Sequence, residues 1–309
     1  MNYLLGSGMS DGSDQAAPEI AYYQPREHRP KYLSRYDIQL RQEKDPILEA
    51  LPSSIKPAYL DISQEVRQAL VDGLKKTLRW QNVTWKDQPR SMNPDFREND
   101  LEHVLGLIDW CNLIEQDYPA LYAEISGDDR AVWHELLTMI VVHDTGEIGT
   151  GDVALTNQGS SEGIRKKKIE PKWAKYAISK SLPPEQSRKI ISIYDRFEVP
   201  AQNDRVALTA KFLDKAQASG HVARDIIAYN LDKADYVQFE FRNNLPHTLK
   251  FAARLLELCK SDEAARQLQS FLQEHVLSHF DALEIDDIEN LRGEVREKFP
   301  IIFAYGTDL

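Results

Sequence analysis

The stretch AVWHELLTMIVVHDTGEIGTGD, at residues 131–152, decides the fold of this chain. Its first half is an apolar run of the kind that forms a helix packed in a protein core. The run ends with His143 and Asp144 at the C-terminal end of the predicted helix. Imidazole and carboxylate groups are common ligands of divalent metal ions, although an adjacent His and Asp also arise often by chance. The stretch therefore predicts a core helix that ends in two candidate metal ligands.

Two other predicted helices carry a ligand-type side chain on their apolar face. Helical spacing counted from His103 gives a face that continues with Leu107, Trp110, Cys111 and Ile114. The same spacing counted from Val206 gives a face that continues with Ala210, Leu213, Asp214 and Gln217. A buried, unpaired carboxylate is costly, so Asp214 needs a cation, a hydrogen-bond network or an exposed position. The alternatives are a salt bridge to Lys211 or Lys215 and, for His103, an ordinary core histidine.

Most of the chain from Asp61 onward has apolar residues at three- and four-residue spacing, separated by short Gly, Pro or Asp breaks. This pattern predicts an all-α fold, with Pro183 and Pro184 marking one helix start. The predicted helices are 62–79, 98–117, 129–145, 163–181, 184–197, 203–230, 247–260, 262–281 and 286–298.

The domain organisation follows from where the periodicity begins. Residues 1–55 contain Gly, Ser, Asp and scattered Pro without an apolar period, which predicts an irregular N-terminal extension. Residues 56–309 are predicted to form one helical domain, with a motif-bearing core at about 62–230 and C-terminal helices at 231–309. The segment WQNVTWKDQPRSMNPDFR at 80–97 is either a loop that lines a pocket or a solvated connection.

The composition of the chain limits the kinds of partner that we expect it to bind. Lys and Arg number 38 against 49 Asp and Glu, and the resulting net charge of −11 disfavours binding to a nucleic acid polymer. The N-terminus lacks a signal-peptide pattern, and no apolar run approaches the roughly 20 residues that span a bilayer. Cys111 and Cys259 are the only two cysteines, which excludes a cysteine-based zinc site, and their apolar neighbours favour buried thiols over a disulfide. We therefore expect a cytoplasmic protein with no membrane partner.

The order His, then His-Asp, then Asp on successive helices resembles the signature of the HD-domain phosphohydrolases, over about residues 62–230. Within it, HDTGEIGTGD (143–152) is similar to the pattern His-Asp-x-x-Glu-x-x-x-Gly-Asp of the HD-type 5′-nucleotidases, which act on deoxyribonucleoside monophosphates. ENDLEH (98–103) and KFLD (211–214) resemble that family's Glu-Asn-x-x-Glu-His and Lys-x-x-Asp. The resemblance implies an HD-domain helical bundle.

The resemblance also implies roles for individual residues. The implied metal ligands are His103, His143, Asp144 and Asp214. Glu147 is implied as the catalytic carboxylate, working beside Asp144, and Asp152 as a substrate contact. Because Glu147 lies four residues after His143, a continuing helix would place it on the ligand face, unless Gly146 ends the helix first. The alternatives are a solvated helix end for Glu147 and an ordinary Gly-Asp turn for Asp152.

Substrate contacts are less well defined by sequence. Arg79 and Trp80 look similar to the substrate arginine and tryptophan of the same nucleotidases, but the gap to His103 is longer and implies an inserted loop at 80–97. The candidates for a phosphate contact are therefore Arg79, Arg90, Arg97 and Lys167. The basic run around Lys167 is alternatively a solvated face.

A single metal ion is predicted. Dinuclear relatives resemble this signature but add two histidines before the last Asp, and residues 145–213 contain none. His134 lies nine residues before His143, about 900° along a helix, and therefore on the opposite face. Mixed nitrogen and oxygen ligands do not distinguish Mn, Co, Fe, Zn and Mg. The expected cofactor is one divalent ion of undetermined identity.

The resemblance implies an enzyme that hydrolyses the phosphomonoester of nucleoside 5′-monophosphates, with deoxyribonucleoside monophosphates as the favoured substrates. The attacking group would be a metal-activated water. The partner would be a small phosphorylated molecule, a nucleotide above all. The alternatives are an HD hydrolase of another nucleotide phosphate, such as a nucleoside triphosphate or a guanosine alarmone, and a silent metal- or nucleotide-binding regulatory protein. The segment after 230 is left with two alternatives, a cover over the pocket or the face of a homodimer.

Overall fold

The computed structural model describes residues 45–79, 84–85, 88–89, 98–153, 159–228, 237–281, 283 and 285–304. At 84–85, 88–89 and 221–228 the description covers the backbone alone. Helices dominate these residues, so the all-α prediction is confirmed. None of the helices in the described residues is both long and apolar enough to cross a bilayer.

The helices follow one another in chain order, with one two-stranded pair between the third and fourth. The N-terminal elements are α1 (Pro46–Ala50), α2 (Lys56–Leu60), α3 (Gln64–Lys76), β1 (Thr84–Trp85) and β2 (Gln88–Pro89). The central elements are α4 (Asp100–Asp117), α5 (Pro119–Ser126), α6 (Arg130–Val142), a 3₁₀ turn (His143–Gly146), α7 (Glu147–Thr150), α8 (Ser161–Ser181), α9 (Pro184–Glu198) and α10 (Arg205–Ala228). The C-terminal elements are a π turn (Glu240–Asn244), α11 (Leu245–Leu258), α12 (Asp262–Leu272), a second π turn (Gln273–Leu277), α13 (Ser278–Asp281), α14 (Ile288–Lys298) and α15 (Pro300–Phe303).

Long helices match the predicted ones closely, and the short helices were missed. For example, the predicted helix 184–197 is observed as α9, Pro184–Glu198. The missed helices α1, α5 and α15 each begin with a proline at the first helical position. Proline is well tolerated there because that N–H has no helical partner anyway. In these three cases the proline, which the sequence analysis treated as a break between helices, is the first residue of a helix that is too short to show periodicity.

The predicted irregular extension at 1–55 is wrong for its last residues. Residues 1–44 lie outside the described part of the chain, but α1 is helical and its Ile47 is fully buried in the core. Asp45 caps α1, because its side chain accepts a hydrogen bond from the backbone N–H of Leu48 at 3.1 Å. The Asn112 side chain on α4 also donates to the carbonyl oxygen of Ala50 at 3.1 Å. The folded domain therefore begins before residue 56.

The inserted loop at 80–97 is closed at its base by the backbone. Arg79 N–H donates to the carbonyl of Glu98 at 3.0 Å, and Asp100 N–H donates to the carbonyl of Thr77 at 3.0 Å. Inside the loop, β1 and β2 form a short antiparallel pair. The two pairs at its base fix Arg79 and Glu98 beside the start of α4.

The core is built around α6, which packs against α4, α9 and α10. Its Trp133 is fully buried, as are Leu136 and Ile140 one and two turns further along. The end of α6 is therefore held rigidly among three helices. The residues that follow this end, from His143 to Glu147, are all buried.

Candidate metal centre

Three helices bring four ligand-type side chains together. His103 lies in the first turn of α4, His143 and Asp144 follow α6, and Asp214 lies in α10, and all four are buried. The start of α4 is fixed by a capping box, in which Asn99 Oδ1 accepts from Glu102 N–H at 2.9 Å and Glu102 Oε2 accepts from Asn99 N–H at 3.0 Å. Part of the ENDLEH motif thus has a structural use: it sets the helix start that carries His103.

The side chains converge within bonding reach of a common ion. His103 Nε2 lies 3.3 Å from Asp214 Oδ1 and 3.9 Å from Asp144 Oδ2. His143 Nε2 lies 3.1 Å from Asp144 Oδ2. His103, His143 and Asp214 each place one potential ligand atom within 4.8 Å of the other two. The residues predicted as ligands are therefore placed together, and they could hold one divalent ion.

Hydrogen bonds on the far side of each imidazole favour metal binding. His103 Nδ1 lies 2.7 Å from Gln217 Oε1, and His143 Nδ1 lies 2.8 Å from the carbonyl oxygen of Ile140. Both oxygens only accept, so each Nδ1 carries the proton and each Nε2 keeps its lone pair in the neutral ring. Both Nε2 atoms are buried, and neither has a hydrogen-bond partner of good geometry within the described residues. Two buried, unsatisfied lone pairs facing two carboxylates fit a divalent cation.

The local field is negative, as a cation site requires. Burial alone would lower the pKa of His143, but the Asp144 and Asp214 carboxylates raise it above its ordinary value. Burial would raise the pKa of Asp144, whereas His143 and then Arg79 hold it below its usual range. The same charges that favour a protonated imidazole favour a bound metal ion, which replaces the proton when it binds.

Asp214 divides its two oxygens between the cluster and a lysine. Oδ2 lies 2.9 Å from Lys215 Nζ, while Oδ1 faces His103. The salt bridge that the sequence offered as an alternative therefore forms, and it leaves one oxygen for a metal ion. Lys211 does not take part: its Nζ lies 3.6 Å from the centre of the Phe197 ring and 3.9 Å from Glu198.

Glu147 lies beside the cluster, at the start of α7. Gly146 does not stop the chain from turning helically, because the 3₁₀ turn passes directly into α7. Glu147 is buried, which excludes the alternative of a solvated helix end. Its burial, followed by the charges of Asp152 and Asp144, raises its pKa well above the ordinary value for a glutamate. A carboxyl group with a raised pKa is suited to giving a proton to a leaving group.

A second carboxylate group adjoins the first cluster. Oxygen atoms of Asp100, Asp144 and Glu147 lie within 4.8 Å of one another, and all three residues are buried. Burial, then the charges of Asp144 and Glu147, raises the pKa of Asp100 to about 11. The sequence analysis missed Asp100, although its position three residues before His103 places it on the same side of α4.

The structure describes three of the predicted substrate contacts, and they differ in their surroundings. Asp152 is buried beside Glu147, after a glycine with φ of 72°, and so is not an exposed turn residue. Arg79 is buried and pairs with Asp144 at 3.3 Å and with Glu98 at 3.4 Å. Lys167 Nζ lies 3.3 Å from Glu147 and 2.9 Å from Glu170. Trp80, Arg90 and Arg97 lie outside the described residues.

A chain of polar contacts connects two of the ligands. Gln217 accepts from His103 and donates from Nε2 to Glu98 Oε1 at 2.7 Å. Glu98 in turn pairs with Arg79, which reaches Asp144. Gln217 was visible as a polar residue on the predicted apolar face of its helix, but nothing in the sequence indicated its partner. It acts as a positioning residue that orients His103.

Replacing Gln217 with leucine is expected to weaken the affinity for Mn²⁺ roughly 10- to 100-fold, because His103 Nδ1 loses its acceptor. Calorimetric titration of the full chain with Mn²⁺ measures the change. A matched control is Gln269→Leu, since Gln269 is also buried but donates to the Ile301 and Ile302 carbonyls. Equal Mn²⁺ affinity in both variants would contradict the positioning role.

Comparison with known proteins agrees with this geometry. A family model described as the HD domain matches residues 71–270, which is more than half of the chain and includes all four ligand-type residues. The curated proteins and the solved structures contain no significant match. Because the family model matches more than half of the chain, the chain belongs to the HD-domain family of metal-dependent phosphohydrolases.

Proposed function

We propose that this protein is a phosphohydrolase that cleaves the phosphomonoester of nucleoside 5′-monophosphates, with deoxyribonucleotides as the preferred class. The observation that carries the proposal is the burial of Glu147 and Asp152 against the His/Asp cluster. These two residues occupy the Glu and final Asp positions of the pattern in HDTGEIGTGD. A plain metal site needs neither residue, whereas hydrolysis of a phosphate ester needs a proton donor near the ion.

The proposed metal ligands are His103, His143, Asp144 and Asp214. A divalent ion held there would supply Lewis-acid chemistry, lowering the pKa of a water and polarising a phosphoryl oxygen. The chain's own residues do the rest. The Glu147 carboxyl, whose pKa is raised by burial, would give a proton to the leaving 5′-oxygen, and the proton that the attacking water loses would restore it. Lys167 lies next to this carboxyl and can turn toward a phosphate, since its side chain is 37% exposed.

Arg79 keeps in the proposal the phosphate contact that the sequence suggested, and it has a second role in positioning Asp144. Its guanidinium is buried and shared between Asp144 and Glu98, which holds the Asp144 carboxylate in one orientation. We propose that the Arg79 guanidinium, fixed in this way beside the cluster, also contacts the phosphate. Asp152 would accept a hydrogen bond from the 3′-hydroxyl of the sugar, which a deoxyribonucleoside 5′-monophosphate carries and the matched 3′-monophosphate does not offer.

A substrate panel tests this function. We expect phosphate release from deoxyribonucleoside 5′-monophosphates in the presence of Mn²⁺ or Co²⁺, at rates at least about tenfold above those for the matched 3′-monophosphates. Products should be separated into phosphate, pyrophosphate and triphosphate. Release of pyrophosphate or triphosphate from a nucleoside triphosphate or a guanosine alarmone, without monophosphate cleavage, would contradict the proposal. Absence of all turnover in metal-loaded protein would instead identify a silent binding protein.

A further inference from the structure

A cavity of about 290 Å³ lies among the C-terminal elements, apart from the metal centre. Its wall is formed by the π turn, the start of α11 and the end of α14. The residues that define its character are Arg242, Pro246, His247, Lys250, Lys298 and Phe299. None of them belongs to the His/Asp cluster, although His247 is close enough to Asp214 to be affected by its charge.

The charge of this cavity opposes that of the whole chain. Among the described residues that line it, three are lysine or arginine and none is acidic, whereas the chain has a net charge of −11. Arg242 lies 3.8 Å from Glu294, but both side chains are more than half exposed, so this pair neutralises little. Neither Lys250 nor Lys298 forms an ion pair with a described residue. The cavity therefore concentrates positive charge on an acidic protein.

His247 is affected by positive charge from the cavity and from α10. Its pKa is lowered to about 4, first by burial and then by the charge of Lys215, with further lowering by Lys250 and Lys211. Asp214 opposes the shift but does not cancel it. The ring is therefore uncharged at neutral pH. It offers a neutral hydrogen-bonding group in a positive field, a combination suited to anions.

The cavity wall is tied to the helix of the metal centre. The Thr248 hydroxyl, next to His247, donates to the carbonyl oxygen of Lys215 at 3.0 Å. Thr248 Oγ1 also lies 2.8 Å from Ser219 Oγ. These two contacts fix the start of α11 against α10. The wall is thus ordered before any ligand arrives, which reduces the entropic cost of binding.

We propose that this cavity binds a small, multiply charged phosphate-bearing anion. Its volume is at the lower end for ligand sites, which favours a compact ligand such as an oligophosphate over a large organic molecule. Lys250 and Lys298 would pair with separate phosphate groups, and the buried Phe299 and Pro246 would form the floor. This inference does not rest on the proposed phosphohydrolase activity, because it uses none of the residues assigned to that reaction.

Calorimetric titration of the full chain with pyrophosphate, at fixed salt, tests the site. We expect binding by the parent protein, and at least about tenfold weaker binding by the double variant Lys250→Gln/Lys298→Gln, because two phosphate contacts are lost. The matched control is Lys75→Gln/Lys76→Gln, which removes the same charge from two exposed lysines at the end of α3. The control should bind pyrophosphate as the parent does. Pyrophosphate should also raise the Tm of the parent by about 5 °C at 100 times Kd, but not that of the cavity variant.

The metal centre is a competing location for the anion, and a third variant separates the two. His143→Ala should retain pyrophosphate binding, since His143 is not among the residues that line the cavity. Three outcomes would overturn the proposal: no binding by the parent at millimolar pyrophosphate, equal binding by the parent and the cavity variant, or binding lost with His143→Ala alone. If the double variant is unstable, Lys298→Gln alone replaces it, because that side chain is exposed.

Discussion

Replacing His143 with alanine is expected to lower bound metal from one ion per chain to near zero and to reduce phosphomonoester hydrolysis at least about a thousandfold. The imidazole is buried, and its Nδ1 is held by the Ile140 carbonyl, so its Nε2 has one orientation available. His134, the histidine on α6, cannot replace it, because its imidazole contacts Ser54 instead. Elemental analysis of the purified protein measures the metal, and phosphate release measures the rate.

The control for this experiment is His134→Ala, which removes an imidazole from the same helix without touching the cluster. Metal content and rate should then stay at the parent's values. Loss of the buried His143 ring also leaves Asp144 without one partner, so stability should fall by roughly 1 to 3 kcal/mol. Circular dichroism must show that the variant still folds at the assay temperature. Undiminished hydrolysis by folded His143→Ala would end the assignment of this centre.

Sequence periodicity predicted long helices such as α4 and α10 because each of these two buries a continuous apolar face. The faces that begin at His103 and Val206 were read at helical spacing, and both are buried as expected. Short helices such as α1 gave no such signal, since five residues make little more than one turn. Their stability comes from packing that only the folded chain provides, as the full burial of Ile47 illustrates.

The metal centre could be predicted as a set of residues but not as a network. The order of the motifs predicted the four ligands as one site, because each ligand ends or interrupts the apolar face of its helix. The contact between His103 and Gln217 joins residues 114 positions apart, and no local pattern encodes it. Nor could the sequence tell that Asp214 would give one oxygen to Lys215 and keep the other for the cluster, since both outcomes fit the same spacing.

The start of α7 shows a further limit of sequence analysis. Gly146 left open whether the helix would end before Glu147, because glycine is common at helix ends. In the structure the chain tightens into a 3₁₀ turn and then continues as α7. Gly146 packs closely against Glu170, and a larger side chain at this position would collide with it. A Cβ at this position would lie 2.5 Å from Glu170 Cγ. The glycine is therefore needed for close packing and not for termination.

Replacing Glu147 with glutamine is expected to lower the hydrolysis rate about 100- to 10,000-fold while leaving one metal ion bound. Glutamine has the same shape but carries no acidic proton, so it cannot protonate the leaving oxygen. The change should disturb the fold little. Lys167, which contacts Glu147, keeps its shorter contact of 2.9 Å to Glu170. Phosphate release and elemental analysis on the same preparation measure the two quantities.

The separation of rate from metal content is what distinguishes Glu147 from the ligands. His143→Ala should lose both, whereas Glu147→Gln should lose the rate alone, because Glu147 is not among the four proposed ligands. The matched control is Glu124→Gln, which changes a partly buried glutamate that pairs with Arg205 at 3.2 Å outside the cluster. If Glu147→Gln also lost its metal, the carboxylate would be a ligand. If it hydrolysed substrate at the parent's rate, the proton would have to come from elsewhere, and the proposed role of the buried carboxyl would be wrong.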